Sequence, residues 1–528
     1  MTFGYLDIPE MQAQKPLTLN LSKDGHIAVF SSPGYGKSTF LQTVAMDMAR
    51  RHSPERVHIY LIDLGTNGLL PLRELPHAAD TIMVDEEIKL GKLLRRLQNE
   101  IKERKQKLSQ FGVATIEMYE QANGKEVPSI LLLIDTFDSI TDAAYREEFE
   151  KTAAQIAREG VSVGIHLIVS AGRQSAMRAP LLSNIKHQLA LYMIDGTEVR
   201  NIVGRTDLLI EEIPGRGLIK LEQPTSFQTA LPVRGQDTLT TIKNIQEECK
   251  EMRNDWKGER PMPIPMVPET VEFTDFINKA EAKLMIKKGA IPFAVDFENV
   301  EPVEIRIVED QNTLILSDRM DLVEQTYLTL VSSISLNDQI DVGLIDNASS
   351  RFRGFKESVN IYAGTSVDMD SFTERMEQLF ETREDAFRQV QMATDGRVTM
   401  KEFLKEIRPM VVLITDVAFL TQSLSFTSQT TVTKLMETGA RVGIYFVIGA
   451  VHGALERQYD DIAAVVKKQK AGILVGRITD QNILEVLNRP YKEQNLLPYE
   501  AYYIKHGRAE KIKIAAPYKK REEVTASV

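Results

Sequence analysis

A short segment near the N-terminus combines small residues, a lysine and hydroxyl groups in an order that suits phosphate. It consists of Ser31, Ser32, Pro33, Gly34, Tyr35, Gly36, Lys37, Ser38 and Thr39. Glycines let a loop wrap closely, so that backbone N–H groups point at phosphate oxygens. Lys37 would reach the β- and γ-phosphates, and the Ser38 hydroxyl would ligate Mg²⁺. The pattern therefore predicts a cofactor-binding loop for ATP and Mg²⁺.

The loop departs from the usual GxxxxGK[ST] pattern at one position, because Ser31 stands where the first glycine is expected. The alternative is an ordinary turn before a helix. The flanking residues favour the phosphate-binding interpretation. Residues 27–30 form an apolar, strand-like run, and an amphipathic helix is expected from 40 to about 51.

A second segment, residues 129–135, supplies the acidic group that such a site needs. Five consecutive apolar residues followed by Asp135 predict a buried strand with a carboxylate at its end, where it would hold Mg²⁺. Many hydrolysing enzymes of this type carry glutamate next, and here the next residue is Thr136. This substitution argues against fast hydrolysis. Asp138 is near in sequence, but spacing alone does not orient it.

Further candidates follow along the chain. Residues 160–170 predict another buried strand, and Ser170 at its end is either a sensor of the γ-phosphate or a hydroxyl that caps the strand. Arg200, with Arg205 and Arg216, lies in an apparent polar loop. Each of these arginines is a candidate arginine finger for a neighbouring subunit, with Arg200 as the catalytic candidate, or a surface ion-pair partner.

The elements that must position these groups alternate between strand and helix. Strands are predicted at 27–30, 57–63, 129–135 and 160–170, and helices at 40–51, 88–109 and 143–159. This alternation indicates an α/β domain with a mainly parallel central sheet. The basic run 102–107 lies within the second helix and is interpreted as a solvated face.

The composition restricts the class of protein. The 528 residues imply about two to four domains. A net charge of −10 gives no support for binding to a nucleic-acid backbone. The single cysteine, Cys249, excludes an internal disulfide framework and fits a reducing compartment. No apolar run reaches the ~18 residues of a membrane span, and no signal peptide is evident, although the chain could belong to a larger membrane protein.

A proline-rich stretch divides two similar halves. We predict a first domain at 1–258, a linker at 259–270 and a second domain at 271–528. Short segments recur about 280–290 residues apart, which indicates a duplicated domain. The matched segments are 5–7 with 294–296, 16–19 with 302–305, 27–30 with 313–316, 61–63 with 344–346, 132–135 with 413–416, and 163–166 with 442–445.

The second copy lacks the residues of the phosphate loop. In its place stand Leu-Ser-Asp-Arg-Met-Asp-Leu at 316–322, with no glycine and no Lys-Ser pair. Asp318 and Asp321 would repel a phosphate. The sequence therefore predicts a second domain that keeps the scaffold and has lost catalysis.

These features together resemble the FtsK/SpoIIIE group of hexameric, RecA-like motor ATPases, and within it the tandem ATPase region of type VII secretion motors. The resemblance is carried by residues 5–7, by 62–65 with 75–77, by 160–167, and by the tandem with a degenerate last copy. It implies a fold of two tandem RecA-like P-loop ATPase domains with mainly parallel central sheets.

The resemblance also implies a function and partners. It implies a hexameric motor at the cytoplasmic face of the bacterial membrane, held there by transmembrane segments absent from this chain. It would couple ATP to the export of small helical-hairpin proteins, together with other secretion components, and the last domain would help to recognise substrate. Two alternatives remain: a DNA translocase of the same group, for which the short charged end 516–528 offers no reader module, and a non-hydrolysing module locked by nucleotide.

Overall fold

The computed structural model describes residues 1–9, 12–65, 67–141 and 143–517. The chain divides into two compact units, Met1–Ile264 and Pro265–Val528, the second described as far as residue 517. The division lies inside the stretch 259–270. Residues 518–528 of the predicted second domain and of its charged end lie outside the described residues.

The first unit contains ten strands and eight α-helices among its described residues. The strands are β1 (Thr2–Ile8), β2 (Ala13–Thr18), β3 (Ile27–Phe30), β4 (Val57–Asp63), β5 (Ala78–Met83), β6 (Ser129–Asp135), β7 (Ile165–Ala171), β8 (His187–Leu191), β9 (Arg216–Lys220) and β10 (Pro224–Thr229). The helices are α1 (Leu21–Asp24), α2 (Lys37–Arg51), α3 (Glu87–Phe111), α4 (Ile116–Asn123), α5 (Arg146–Glu159), α6 (Ala179–Leu182), α7 (Gly196–Val203) and α8 (Thr238–Asp255).

All ten strands form one sheet in the order β2-β1-β10-β9-β8-β3-β7-β6-β4-β5. The six strands from β8 to β5 run parallel, and the remaining four are antiparallel. The parallel strands are apolar along their length because helices cover both faces of the sheet, with a separate apolar core on each face. The carboxyl ends of β3, β6 and β7 therefore meet at one edge, where the predicted site lies.

The second unit repeats this plan. Its strands are β11 (Ile291–Asp296), β12 (Pro302–Ile305), β13 (Thr313–Ser317), β14 (Asp341–Ile345), β15 (Ile361–Ala363), β16 (Met410–Ile414), β17 (Ile444–Val451), β18 (Ala471–Val475), β19 (Glu500–Lys505) and β20 (Arg508–Ile514). Their order, β12-β11-β20-β19-β18-β13-β17-β16-β14-β15, matches that of the first sheet strand for strand. The predicted duplication and the predicted α/β fold are both confirmed.

Helices again cover both faces of this second sheet. They are α9 (Phe273–Ile277), α10 (Ala280–Lys287), α11 (Ile307–Asp310), α12 (Met320–Ile334), α13 (Ser366–Ala393), α14 (Met400–Phe403), α15 (Val417–Ser423), α16 (Phe426–Thr438), α17 (His452–Glu456) and α18 (Asp461–Val466).

Several local predictions were wrong in detail. Strand β7 begins only at Ile165, because residues Val161–Val163 form a 3₁₀ turn that ends at Gly164 with φ of 71°. Arg200 lies on α7 and Arg216 begins β9, so neither is in a loop. The basic run 102–107 is not wholly solvated, since Arg104 is only 2% exposed.

The proline-rich stretch is extended, as its prolines predict, but part of it packs on the first unit. The Ile264 side chain is 4% exposed within one of that unit's apolar cores. Its backbone N–H donates to Asp80 Oδ2 at 2.9 Å. The carbonyl of Met262 accepts a hydrogen bond from Arg96 Nη1 at 3.1 Å. Residues 262–264 are therefore fixed to the first unit.

Candidate nucleotide-binding site

The glycine loop connects β3 to α2. Gly34 has φ of 89° and Gly36 has φ of 100°, a left-handed conformation that side chains disfavour. A Cβ on Gly36 would also lie 3.2 Å from the backbone nitrogen of Gly215. The two glycines are thus required by conformation, and the second also by contact. Helix α2 begins at Lys37, three residues before the predicted start, so its N-terminus faces the loop.

Backbone contacts tie the start of the loop to its neighbours in the sheet. The Ser31 N–H donates to the carbonyl of Ala171 at 3.2 Å, and the Ser32 N–H donates to that of Tyr192 at 3.1 Å. Ser31 is completely buried. A serine is accommodated at the first pattern position because its hydroxyl donates to the Ser32 carbonyl at 2.7 Å.

Lys37 folds back across the loop. Its Nζ donates to the carbonyl of Ser31 at 2.9 Å and lies 3.4 Å from that of Ser32. Burial lowers the pKa of Lys37, while the charges of Asp135 and Asp138 act in the opposite direction. The ammonium is therefore held at the mouth of the loop, close to two carboxylates.

The predicted Mg²⁺ ligands lie side by side. Ser38 Oγ donates to Asp135 Oδ2 at 2.6 Å. The other carboxylate oxygen accepts a hydrogen bond from Ser170 Oγ, which in turn accepts one from the Thr136 N–H at 2.9 Å. A hydroxyl beside a carboxylate is an oxygen donor set that fits Mg²⁺. Ser170 is completely buried, which favours a positioning role toward Asp135.

Thr136 stands where glutamate was expected and has an unusual backbone. Its φ of 60° places a β-branched residue in the left-handed region, at a cost of about 1–3 kcal/mol. The chain then makes a 3₁₀ turn at Phe137–Ile140. This turn brings Asp138 back to the sheet, where its Oδ1 accepts a hydrogen bond from the Gly172 N–H at 3.0 Å.

Two residues that sequence reasoning did not assign to the site complete its floor. Asp63, at the end of β4, accepts hydrogen bonds from the N–H groups of Leu69 at 2.8 Å and Asn67 at 3.1 Å. It thereby holds the following loop against the site. A Cβ on Gly68 would lie 2.6 Å from Ser38 Cβ and 3.1 Å from Asp135 Oδ2. The turn-forming composition of 64–68 was visible in the sequence, but this long-range contact was not.

The remaining loop residues have plain structural settings. Pro33 is exposed. The Tyr35 carbonyl accepts a hydrogen bond from the Gly215 N–H at 3.0 Å, and its hydroxyl donates to Glu212. The Thr39 carbonyl accepts a hydrogen bond from the Thr43 hydroxyl at 2.9 Å within α2.

The arginines are not gathered at the loop. Arg200 and Arg205 are exposed, and neither has a hydrogen bond to residues 31–39 in the part of the chain that the structure describes. Arg216 forms ion pairs with two carboxylates: its Nη2 lies 3.5 Å from Asp7 Oδ2, and its Nε lies 3.5 Å from Glu211 Oε2.

A shared contact aligns the second unit with the first. Thr43 Oγ1 donates to the Ala230 carbonyl at 2.7 Å, and Thr329 Oγ1 donates to the Ala515 carbonyl at 2.7 Å. Thr329 therefore corresponds to Thr43. Six residues before each threonine lie Lys37 in the first unit and Val323 in the second, so Val323 occupies the position of Lys37. Helix α12 already begins at Met320, so a helical turn replaces the glycine loop.

By the same count, Glu324 occupies the position of Ser38. The residue is 7% exposed, and its carboxylate accepts hydrogen bonds from Asn347 at 3.0 Å and Ser349 at 2.7 Å. Arg351 lies 3.1 Å away as its ion-pair partner. Burial acts to raise the pKa of Glu324, but these hydrogen bonds lower the pKa overall. Glu324 therefore places a buried negative charge at the position where a bound phosphate–metal complex would need a neutral hydroxyl.

The sheet register corrects one predicted match between the copies. Ile134 pairs with Ile62 and Val169, and Ile414 pairs with the equivalent Ile345 and Ile448. Asp135 therefore corresponds to Thr415, not to Asp416 as the sequence match implied. Asp416 instead caps α15, accepting a hydrogen bond from the Ala418 N–H at 2.9 Å.

Comparisons with known proteins agree with this architecture. The model of the FtsK/SpoIIIE family matches residues 4–207. The type VII secretion system protein EssC of Staphylococcus aureus (strain MRSA252) is 30% identical over 519 residues, 97% of this chain and 34% of that protein. The chain thus spans about a third of the length of the curated relatives it matches.

Solved structures match over nearly the whole chain. ATPases 2 and 3 of EssC from Geobacillus thermodenitrificans superpose with a TM-score of 0.88 at 27% identity, covering 98% of this chain and 96% of that one. ATPases 2 and 3 of Thermomonospora curvata EccC, in complex with a signal sequence peptide, share the fold with a TM-score of 0.62 at 21% identity, covering 98% and 93%. None of the helices that the structure describes has both the length and the apolar composition of a membrane span.

Proposed function

Because residues 4–207 belong to the FtsK/SpoIIIE family and the chain is homologous to ATPases 2 and 3 of EssC, we propose that it forms two ATPase-type domains of a type VII secretion motor. The first unit binds ATP with Mg²⁺. Lys37 contacts the β- and γ-phosphates, the N–H groups of the glycine loop surround them, and Ser38 and Asp135 hold the metal. The contact between Ser38 Oγ and Asp135 Oδ2 at 2.6 Å is the observation that carries this proposal.

The second unit serves another purpose. Val323 and Glu324 replace the lysine and the serine, and a helical turn fills the place of the loop. A structure of a related tandem, that of Thermomonospora curvata EccC, holds a signal sequence peptide. We propose that the second unit of this chain contributes to substrate recognition, while the first unit binds nucleotide.

We propose an assembly on the basis of the same relationship. The chain acts as part of a hexamer on the cytoplasmic side of the bacterial membrane, with membrane segments and a further ATPase domain supplied by the rest of the protein. Its partners are secreted helical-hairpin proteins and other secretion components. Arg200, which is exposed on α7, is the proposed arginine finger toward a neighbouring subunit.

We favour export over DNA translocation because the similar protein EssC of Staphylococcus aureus is a type VII secretion system protein and because the net charge of this chain is −10. A second candidate, a module that binds nucleotide without hydrolysing it, is favoured by one observation. Thr136 occupies the position at which a glutamate would polarise the attacking water.

Substitution of Lys37 tests the proposed site. We expect Lys37→Ala to reduce binding of a fluorescent ATP analogue with Mg²⁺ by at least about 100-fold, since the residue supplies the charge that faces the phosphates. The matched control is Arg319→Ala, an exposed arginine at the corresponding junction of the second unit. Circular dichroism checks that both variants are folded. Unchanged affinity in Lys37→Ala would refute the proposed site.

A further inference from the structure

Hydrolysis of ATP requires a group that holds the attacking water, and the two obvious positions do not supply one. Asp135 uses both carboxylate oxygens, one for Ser38 and the other for Ser170. Thr136 carries no carboxylate. If the first unit hydrolyses ATP, another polar side chain near the loop is needed to hold the water.

Asp138 reaches the same edge of the sheet through the unusual backbone that precedes it. The left-handed Thr136 turns the chain back, and the 3₁₀ turn at Phe137–Ile140 places Asp138 beside the end of β7. There the Gly172 N–H donates to Asp138 Oδ1 at 3.0 Å, which fixes the carboxylate. The strained backbone of Thr136 thus places the Asp138 carboxylate beside the end of β7, which a continuation of β6 in the extended conformation would not do.

Three short contacts connect this carboxylate to the lysine of the loop. Gly172, which anchors Asp138, directly follows Ala171. The Ala171 carbonyl accepts the Ser31 N–H at 3.2 Å. The Ser31 carbonyl accepts Lys37 Nζ at 2.9 Å. Asp138 and Lys37 therefore lie at adjacent strand ends, and the Asp138 charge acts on the Lys37 ammonium.

The second carboxylate oxygen of Asp138, Oδ2, accepts no hydrogen bond from the residues that the structure describes. Within the described ranges, the hydrogen bond of its side chain is the one from Gly172 to Oδ1. A Cβ at position 172 would lie 3.2 Å from Oδ2, so the glycine leaves room beside this oxygen. Asp138 is partly exposed, which allows a water molecule to reach it.

We propose that Asp138 binds the attacking water and accepts its proton, in place of the glutamate that position 136 lacks. The water oxygen forms a bond to Pγ, and the bond between Pγ and the β–γ bridging oxygen breaks. The electron pair of that bond leaves with ADP, and the water proton passes to Asp138 and then to solvent. This inference rests on the proposed binding of ATP and Mg²⁺ by the first unit.

The second unit offers an internal comparison. Since Ile414 corresponds to Ile134, the residue that corresponds to Asp138 is Ala418. The copy that has lost the glycine loop has therefore also lost the acid at this position. The glycine loop and the acid at position 138 thus occur together in the first unit and are both absent from the second, which supports a joint role in the first unit.

The test separates turnover from binding in the full chain. In Asp138→Asn the amide oxygen can still accept the Gly172 N–H, so the fold is retained. We expect its kcat for ATP to fall by about 100-fold or more, the usual contribution of a general base, while the Kd for ATP–Mg²⁺ changes less than about 2-fold. Asp138→Glu should recover part of the lost rate. The control Glu148→Gln removes one exposed carboxylate from α5 and should leave both constants unchanged.

Each outcome has a distinct meaning. An Asp138→Asn variant with wild-type kcat would overturn the inference. So would a wild-type chain that binds ATP–Mg²⁺ without turnover above the Lys37→Ala background, although the proposed nucleotide site would then stand. Failure of the wild-type chain to bind ATP–Mg²⁺ would contradict the proposed function itself, and the role of Asp138 with it.

Discussion

At the scale of single residues, the candidate site is organised around Asp135. It lies at the end of a parallel strand with no exposed surface, and one of its oxygens meets the hydroxyl that begins α2. Ser170 fixes the other oxygen. Because these side chains are already fixed in place, less conformational entropy is lost when a ligand binds. The close approach of Gly68 limits the space beside this pair.

Gly68 therefore provides a sharp residue-level prediction. An added methyl group would collide with Ser38 and Asp135, so we expect Gly68→Ala to weaken ATP–Mg²⁺ binding by about 10-fold or more. Titration calorimetry at several Mg²⁺ concentrations measures the effect.

The control for this substitution is Gly196→Ala, where a Cβ would meet no atom within 4 Å. This variant should bind as the wild type does. Equal affinities for Gly68→Ala and Gly196→Ala would show that the contact does not shape the metal site.

The residues proposed to bind the phosphates and Mg²⁺ could be predicted from the sequence, whereas the contacts of Gly68 and Asp138 could not. Lys37, Ser38 and Asp135 follow from motif order, and the structure brings Ser38 and Asp135 together. Gly68 and Asp138 could not be predicted, because their roles depend on contacts between segments far apart in sequence. A left-handed threonine at 136 has no sequence signature.

At the scale of elements, each unit contains a long helix with a buried arginine that contacts the loops at the start of the parallel strands. In α3, Arg104 donates to the carbonyls of Val163 at 2.7 Å and Pro128 at 2.8 Å. In α13, Arg383 donates to the carbonyls of Val442 at 2.9 Å and Arg408 at 2.7 Å. The guanidinium thus joins the loops that precede two neighbouring strands in both copies.

Removing this group should destabilise the unit. We expect Arg104→Met to cost about 3 kcal/mol of unfolding free energy, because buried carbonyls lose charged hydrogen-bond donors. Proteolysis in increasing urea, with peptides assigned to each unit by mass spectrometry, measures the loss.

Lys102→Ala on the same helix removes an exposed charge and serves as the matched control. Its cost should stay within about 0.5 kcal/mol. A cost of Arg104→Met no larger than that of the control would mean that the buried arginine contributes little.

The periodicity of apolar residues in α3 predicted the helix and its bounds but not the burial of Arg104. The apolar positions of α3 marked it as a helix, and its bounds of Glu87–Phe111 agree closely with the predicted 88–109. A basic run is normally solvated, and nothing in residues 102–107 distinguishes the inward-facing arginine from its neighbours. The early start of α12 was likewise hidden, because the absence of glycine predicts loss of the loop without specifying a helical turn.

At the scale of the whole molecule, two sheets of identical strand order have different residues at the positions of the candidate site. The duplication could be predicted from recurring strand segments, since buried parallel strands constrain composition strongly. The match of Asp135 with Asp416 could not be resolved in this way, because a shift of one residue leaves an apolar run almost unchanged. The strand register places Thr415 at the position of Asp135, and the shared threonine contact places Val323 and Glu324 at the positions of Lys37 and Ser38.

We propose that the chain holds one functional nucleotide site, in its first unit. Titration calorimetry of the full chain with ATP–Mg²⁺ measures the number of sites, because it reports stoichiometry. We predict one site per chain, absent in Lys37→Ala and unaffected by substitution of Asp318 and Arg319. Two sites per chain, or one site that survives in Lys37→Ala, would contradict the account.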